Sequence, residues 1–195
     1  MEAEGCFKVK PKYRDSKPEV HSFYFEFEIH LHIDEKNLLD EICHSLGVGK
    51  VYPNEKRSSC SFVIGNEKGI RVILDIFDKY PLNGMKYLDY VDFRKAFVLY
   101  FDRIGTLTDE IRAEILEISG NINTSRTDFR MPIEHKVKIT PYWLLGLIEG
   151  EGSFYLNRDP IRPGFQILMT AGQEPMFTEI KRYLKEELGF DKYSQ

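Results

Sequence analysis

The chain has 195 residues, of which 42% are hydrophobic and 30% are charged, a balance typical of globular proteins with a substantial core. No apolar run approaches the ~18 residues of a membrane helix and the amino terminus lacks the apolar region of a signal peptide, so the sequence predicts neither. The net charge of −4 argues mildly against nucleic-acid binding, although such binding depends on the field at the contact face rather than on the total charge.

Two strands of alternating polarity are predicted near the amino terminus, because a strand sends successive side chains to opposite faces. They cover residues 6–14 and 20–33. The first strand has an apolar face expected to point inward, made of Phe7, Val9, Pro11 and Tyr13. Its other face is basic and consists of Lys8, Lys10, Lys12 and Arg14. The polar face of the second strand carries Glu26, Glu28, His30 and His32.

These polar faces have more than one interpretation. One is a solvated surface. Another is a β-ribbon whose cations neutralise phosphates while its carboxylates and imidazoles contact base edges in the major groove. Carboxylates are poor partners for phosphate, but they accept a hydrogen bond from the cytosine amino group. A metal site at His30 and His32 would need further ligands, which the sequence does not indicate.

Helices and a hairpin follow along the chain. Helices are predicted over about residues 35–46, 67–79 and 87–101, and Thr108 can cap another with an acidic first turn. The hairpin pairs residues 49–54 with 57–65, and the side chains expected to face nucleic acid are Lys50, Arg57, Ser59 and Ser61. Residues 119–140 are interpreted as a linker. This linker is expected either to cross a DNA backbone or to be solvated. Its basic residues are Arg126, Arg130, Lys136 and Lys138.

A glycine-rich helix with two acids follows the linker. Residues 140–152 read TPYWLLGLIEGEG, with Thr140 as N-cap and Pro141 as the first helical residue. Gly146 and Gly150 are four apart and share one helix face, which would form a helix interface where another backbone approaches closely. Disorder near the helix end is the alternative. The end of this segment recurs in residues 1–7, MEAEGCF, which implies two copies of one structural unit.

Strands are also predicted after the second copy of the motif. Phe154 and Leu156 are expected to face the core, with Tyr155 and Asn157 on the outer face. The next strand is predicted over residues 164–171, and its outer face includes Gln166 and Thr170. A glutamine such as Gln166 can pair with adenine. This face is less basic than that of the first copy, so the two halves are expected to bind different half-sites.

The run LLGLIEGEG at residues 144–152 resembles the signature helix of the LAGLIDADG homing endonucleases, in their single-chain form. The resemblance extends over nearly the whole chain, including LysTyrPro at 79–81 and the run at 88–97. It implies an α+β fold of two pseudo-symmetric repeats, each an antiparallel β-sheet saddle backed by helices. The first repeat is expected to lack most of its motif helix and the second to be incomplete. The expected divisions are a first repeat at 1–118, a linker at 119–140 and part of a second repeat at 141–195.

The resemblance also implies a site-specific DNA endonuclease that makes a metal-dependent double-strand break in a long asymmetric target by phosphodiester hydrolysis. Glu4 and Glu151, the last acid of each motif, would be catalytic and would bind metal together with the backbone carbonyls of Ala3 and Gly150. The implied ion is Mg²⁺, with Mn²⁺ as a substitute and Ca²⁺ supporting binding without cleavage.

The alternative is an intron-RNA maturase or a catalytically inactive DNA-binding relative, which would use the same fold without the metal. Acids at both final motif positions favour the nuclease. The full-length protein is expected to be a monomer that binds double-stranded DNA. The maturase alternative instead predicts binding of intron RNA. The truncated chain is expected to be inactive alone or to regain a site only by pairing with another chain, and exposed strand edges would favour such association. The family implies a mitochondrial or other organellar location.

Overall fold

The computed structural model describes residues 4–14 and 17–190. They form two compact units. The first unit comprises Glu4–Pro81 and Lys86–Phe129, and the second comprises residues 82–85 and 130–190 of the described part. The architecture is α+β, and the strands pair in antiparallel fashion. No described helix combines the length and apolar character needed to cross a bilayer.

The first unit is an antiparallel sheet covered by helices on one face. Its strands pair in the order β1-β2-β4-β3, with the bounds β1 (Gly5–Arg14), β2 (Lys17–His32), β3 (Lys50–Asn54) and β4 (Ser59–Ile64). Its helices are α1 (Lys36–Leu46), α2 (Glu67–Lys79), α3 (Lys86–Phe101) and α4 (Asp109–Asn121). The predicted helices of this half are therefore present, within one or two residues of their expected bounds.

The core of the first unit lies between the inner face of the sheet and helices α2 and α3. The ring centroid of Phe7 lies 5.3 Å from those of both Phe27 and Phe93. Ile70, Ile73 and Phe77 recur at helical spacing on α2 and are buried, as the sequence pattern predicts. This aromatic layer holds one face of the sheet rigidly and leaves the other face to polar side chains.

Local sequence signals explain where these helices begin and end. The Asn66 side chain accepts a hydrogen bond from the backbone N–H of Gly69 at 2.8 Å and caps α2. Thr108 caps α4 in the same way through the N–H of Ile111, as predicted. Gly47 ends α1 in the left-handed region with φ +66°, where glycine carries no steric cost.

The second unit contains the motif helix and a two-stranded ribbon. Its elements are α5 (Pro141–Glu151), β5 (Gly152–Arg158), β6 (Ile161–Ile167) and α6 (Glu174–Glu186). Thr140 accepts from the N–H of Trp143 at 3.2 Å, which confirms the predicted N-cap. Leu144 and Leu147 of α5 pack with Met176 and Ile180 of α6 to form a small core. The segment 82–85 also belongs here, because the Asn83 amide bonds to both the N–H and the carbonyl of Lys138.

Three sequence expectations about strands differ from the structure. Tyr13 is 58% exposed rather than buried, because the pairing of β1 with β2 shifts register on either side of it. Phe154 and Leu156 are exposed rather than in the core, since the apolar face of the ribbon is uncovered in the described part of the chain. Strand β6 ends at Ile167, so Thr170 lies beyond it and its strand assignment is wrong.

Candidate nucleic-acid interface and acidic motif

The outer face of the four-stranded sheet gathers polar side chains from all its strands. Cross-strand pairing sets Lys8 opposite Glu26 and Ser61 opposite both His30 and Tyr52. Since alternate side chains of each strand share a face, polar groups form rows across the sheet. We call this surface the polar face, and its members are Lys8, Lys10, Lys12, Tyr24, Glu26, Glu28, His30, His32, Lys50, Tyr52, Asn54, Ser59 and Ser61.

Ion pairs cross from β1 to β2 on the polar face. Lys8 donates to the carboxylate of Glu26 at 3.1 Å and also to that of Glu28. Lys10 donates to the same oxygen of Glu26 at 3.0 Å. Lys12 instead lies over the Tyr24 ring, 4.9 Å from its centroid, within cation–π range. Two of the predicted phosphate-binding lysines are thus already paired with the two predicted base-reading carboxylates.

Burial and pairing act in opposite directions on these charges. Burial opposes the charged form of Lys8, but hydrogen bonds to Glu28 and Glu26 outweigh it and raise the pKa of the ammonium. Burial likewise opposes ionisation of Glu28, but hydrogen bonds from Lys8 and Ser61 lower the pKa of the carboxyl. Both groups are therefore held in their charged forms near neutral pH.

A concavity of about 630 Å³ opens on the polar face beside the β3–β4 turn. His30 lies on its lining, where the Nδ1 atom is 2.9 Å from the Ser61 hydroxyl. Arg57 lines the same space from the turn. Ser59, expected to face nucleic acid, also lines it but is only 8% exposed. His32 bonds locally, since its Nδ1 accepts from the N–H of Asp34.

The sequence pattern missed several polar side chains on these surfaces. Tyr52 and Asn54 lie on the same face of β3 as Lys50 and line the concavity. Strand alternation from Lys50 would have identified both. In the second unit, Arg162 pairs across the ribbon with Asn157. It was missed because the second strand was expected to begin at residue 164.

The ribbon of the second unit has one polar and one apolar face. Its polar rows are Ser153 with Gln166, Tyr155 with Gly164 and Asn157 with Arg162. The tyrosine ring lies over Gly164, where an added Cβ would be 2.4 Å from ring atoms. Predicted residues Tyr155, Asn157 and Gln166 therefore share one exposed face. Thr170 is exposed in the connection that follows the ribbon.

The acidic motif residues lie where helix or loop passes into a strand. Glu4 is exposed and immediately precedes β1. Glu151 is the last residue of α5 and is half-buried at the start of β5. Gly146 and Gly150 are both exposed on α5, and a Cβ at Gly146 would meet no atom of the described residues within 4 Å. At Gly146 this helix face therefore has room for an added side-chain atom. Ala3, a predicted metal ligand, lies outside the described residues.

Within the described residues, no group of three or more His, Cys, Asp or Glu side chains is arranged to hold a metal ion. The proposed donors from this part of the chain are two glutamates and a backbone carbonyl. Such hard oxygen donors fit Mg²⁺, which commonly binds one or two carboxylates and keeps several waters. The donor chemistry is therefore compatible with the ion that the resemblance implies.

The basic side chain of Arg126 is neither solvated nor available to a DNA backbone, contrary to both expectations for it. Its guanidinium donates to Asp89 at 2.7 Å and to Asp92 at 2.6 Å. The Arg126 side chain is only 10% exposed. Sequence reasoning missed this role because its carboxylate partners lie on α3, far away along the chain.

Comparisons with known proteins agree with this architecture. The family model described as LAGLIDADG endonuclease matches residues 1–97. "Probable intron-encoded endonuclease Cox1-I1b" of Schizosaccharomyces pombe is 29% identical over 187 residues, which cover 94% of this chain and 47% of that protein. "Uncharacterized mitochondrial protein RF1" of Saccharomyces cerevisiae is 27% identical, over 94% of this chain and 36% of that protein. The chain thus spans about half or less of these relatives.

Solved structures share the fold at low sequence identity. The LAGLIDADG meganuclease I-CpaMI, bound to uncleaved DNA, superposes with a TM-score of 0.78 and 22% identity, over 100% of this chain and 73% of that one. I-SmaMI, bound to an uncleaved DNA target with calcium ions, gives a TM-score of 0.81 and 22% identity, over 100% and 72% of the two chains. The solved structures show that this chain shares their fold, and the family model together with the sequence relatives identifies it as a member of the LAGLIDADG endonuclease family.

Proposed function

We propose that this chain carries the DNA-binding sheet and the acidic motifs of a site-specific endonuclease. The enzyme makes a double-strand break in a long, asymmetric DNA target by hydrolysing phosphodiester bonds. The observation that carries the proposal is the polar face of the first unit, an antiparallel surface of paired lysines and carboxylates on a rigid aromatic layer. The name of the fission-yeast relative, an intron-encoded endonuclease, and the DNA-bound state of the similar structures support it.

The Lys8–Glu26 pair suits a G·C base pair in the major groove. Lysine donates to the O6 and N7 acceptors of guanine, and glutamate accepts from the amino group of cytosine. The Lys8 ammonium and the Glu26 carboxylate lie side by side on adjacent strands, with Nζ 3.1 Å from Oε1. Cations nearer the rim of the sheet, such as Lys12, Arg14 and Lys50, would neutralise phosphates instead.

The second unit would read a different half-site, which is the basis for proposing an asymmetric target. Its ribbon offers amides from Asn157 and Gln166 beside Arg162. Amides pair well with adenine, and arginine pairs well with guanine. No paired lysine and glutamate comparable to Lys8 and Glu26 occur on the described part of this ribbon.

Glu4 and Glu151 are proposed to act together as the catalytic acids. They would bind Mg²⁺, with the carbonyl of Gly150 as an additional ligand, and the carbonyl of Ala3 is proposed on the resemblance alone. Mn²⁺ would substitute, and Ca²⁺ would support binding without cleavage. Such an ion would supply activation of a water and stabilisation of the leaving oxygen. The two carboxylates would hold and orient it at the end of each motif.

Selection from a randomised duplex library, with Mg²⁺ or Ca²⁺, tests the proposal. If the chain regains a complete site by pairing with a second copy, the expected result is one long sequence that is cut with Mg²⁺ and only bound with Ca²⁺. Binding without cutting under both ions would contradict nuclease activity of this chain. Preferential binding of intron RNA under those conditions would favour the maturase alternative. The mitochondrial name of the budding-yeast relative suggests organellar introns as the first targets to examine.

The Glu151→Gln variant tests the catalytic assignment. Removing one carboxylate charge should lower the cleavage rate by about 100-fold or more, as expected when a group that stabilises developing charge is lost. DNA affinity in Ca²⁺ should remain measurable, because the polar face is unchanged. Glu149→Gln, on the same helix and exposed, is the matched control and should keep cleaving. Parental cleavage by the Glu151→Gln variant would show that the assignment is wrong.

A further inference from the structure

The connection between α2 and α3, residues 80–85, changes from exposed to buried along its length. Its first two residues are exposed, whereas Leu82 and Asn83 are each only 4% exposed and Gly84 is buried. Connections usually run over the surface, because buried backbone polar groups need partners. Residues 82–85, which we call the docking segment, belong to the second unit, although α2 and α3 on either side belong to the first.

Asn83 pairs with the backbone of Lys138 through both ends of its side-chain amide. Its Nδ2 donates to the Lys138 carbonyl at 3.0 Å, and its Oδ1 accepts from the Lys138 N–H at 2.8 Å. A carboxamide carries both a donor and an acceptor, so one side chain satisfies both backbone groups of one residue. The backbone carbonyl of Asn83 lies 3.2 Å from Nε2 of His135. This pairing requires an amide at position 83, because a carboxylate only accepts.

The other end of the docking segment bonds to the connection before α6. The Met85 N–H donates to the side-chain Oε1 of Gln173 at 3.0 Å. An added Cβ at Gly172 would lie 2.6 Å from the sulfur of Met85, so the lack of a side chain at this glycine lets the methionine lie against the backbone. Two separate stretches of the second unit, residues 135–138 and 172–173, therefore hold the docking segment.

The linker is anchored on both sides of a short exposed stretch. On its amino-terminal side, Arg126 is ion-paired with Asp89 within the first unit. On its carboxyl-terminal side, Lys138 is bonded to Asn83 within the second unit. Residues 127–130 between these anchors are exposed. A break in that stretch would leave both anchors in place.

We propose that the second unit is a docking module for the segment Leu82–Met85, and that this docking holds the two units together without the linker. In the described part of the chain, the polypeptide passes between the units after Pro81, after Met85 and after Phe129. The first two crossings only carry the docking segment into the second unit and back. The asparagine amide is the specific element that is recognised. The inference does not depend on nuclease activity.

A cut in the linker of the full chain tests the proposal. A recognition sequence for a site-specific protease is inserted between Asp128 and Phe129, which are both exposed, and the folded chain is then cut. The two pieces should remain associated and sediment together, like the uncut chain at the same concentration. Dilution then gives their dissociation constant. Pieces that separate as soon as the linker is cut would overturn the proposal.

Asn83→Asp is the main test variant, because it keeps the shape of the side chain and removes its donor. Loss of the partner of a buried group changes an equilibrium constant by about 10- to 100-fold. The dissociation constant of the two pieces should rise by that factor. In the uncut variant, the linker keeps the second unit at a high local concentration, so its circular dichroism spectrum should match that of the parent.

Gln173→Ala is a second, milder variant. The Gln173 side chain makes no capping bond to α6, so its removal costs that helix nothing. Loss of the single bond from the Met85 N–H should raise the dissociation constant about threefold to tenfold. If Asn83→Asp does not fold, Gln173→Ala decides the question.

Asn121→Asp makes the same chemical change at an exposed position of α4 and is the matched control. Its two pieces should have the dissociation constant of the parent. Equal weakening in Asn121→Asp and Asn83→Asp would overturn the docking role, since added negative charge alone would then explain it. An unchanged dissociation constant in both Asn83→Asp and Gln173→Ala would also overturn it.

Discussion

Lys8 is the residue on which the charges of the polar face converge. Its ammonium contacts the carboxylates of Glu26 and Glu28, and Glu26 is shared with Lys10. Glu28 in turn hydrogen-bonds Ser61, which contacts His30. A DNA ligand would therefore meet preformed donor and acceptor pairs rather than free cations. Such pairs restrict side-chain motion before binding, and preorganisation favours specificity over non-specific attraction.

The Glu28→Gln variant tests the strength of this network. We expect the free energy of unfolding near neutral pH to fall by about 1 kcal/mol, the low end for a bond to a charged group because solvent reaches this surface. The pKa of Glu28 is lowered in the folded state, so its contribution is fully present above the ordinary value of 4.5. It is lost as the pH falls through the lowered folded value.

Urea unfolding of parent and variant across that acidic range is the measurement. The stability difference should shrink as the carboxyl becomes protonated. Glu67→Gln, which breaks an exposed pair with Arg71 within α2, is the matched control and should lose less stability. If the difference in unfolding free energy between parent and Glu28→Gln stayed the same across the acidic range, the role of the network would be contradicted.

At the scale of elements, two glycines between α1 and β3 have different constraints. Both have positive φ, +66° at Gly47 and +88° at Gly49. An added Cβ at Gly47 would meet no atom of the described part of the chain within 4 Å, whereas at Gly49 it would lie 2.5 Å from the buried ring of Phe62. Gly49 therefore lets the connection pass directly over the core before β3 begins.

Alanine substitutions at Gly47 and Gly49 should separate the cost of a left-handed backbone from the cost of a steric clash with the core. Gly47→Ala should lose about 1–2 kcal/mol of unfolding free energy from the left-handed backbone alone. Gly49→Ala should lose roughly 1–3 kcal/mol more, because Phe62 must also move. Denaturant unfolding of both variants measures the difference. Equal destabilisation would show that the core yields to the extra methyl group at little cost.

The sequence predicted elements better than contacts between distant elements. The helix predicted at 67–79 is present, and its buried residues Ile70, Ile73 and Phe77 follow a helical spacing that is a local signal. The pairing of Arg126 with Asp89 was not predictable, because nothing local links a connecting segment to the first turn of α3. The register shift at Tyr13 was missed for a similar reason, since strand alternation assumes unbroken pairing with a neighbour.

At the scale of the whole chain, both units contain two paired strands followed by a helix. They differ in how far helices cover the apolar face of those strands. In the first unit, α2 and α3 cover the apolar face of β1 and β2. In the second unit, the corresponding face of the β5–β6 ribbon is exposed. Phe154 and Phe165 stack there with centroids 4.8 Å apart, beside Leu156 and Ile161. Clustered exposed apolar side chains of this kind mark association surfaces.

We therefore expect the 195-residue chain to self-associate through this ribbon. In sedimentation velocity, the average mass should rise above 22.9 kDa as concentration increases, because burial of the apolar face and pairing of the ribbon edges both favour association. Phe154→Gln should lower that tendency. Ile104→Gln alters a fully exposed residue of the first unit and should associate like the parent. A parent chain that remains monomeric at every concentration would contradict the expectation and would mean that the exposed ribbon alone does not drive association.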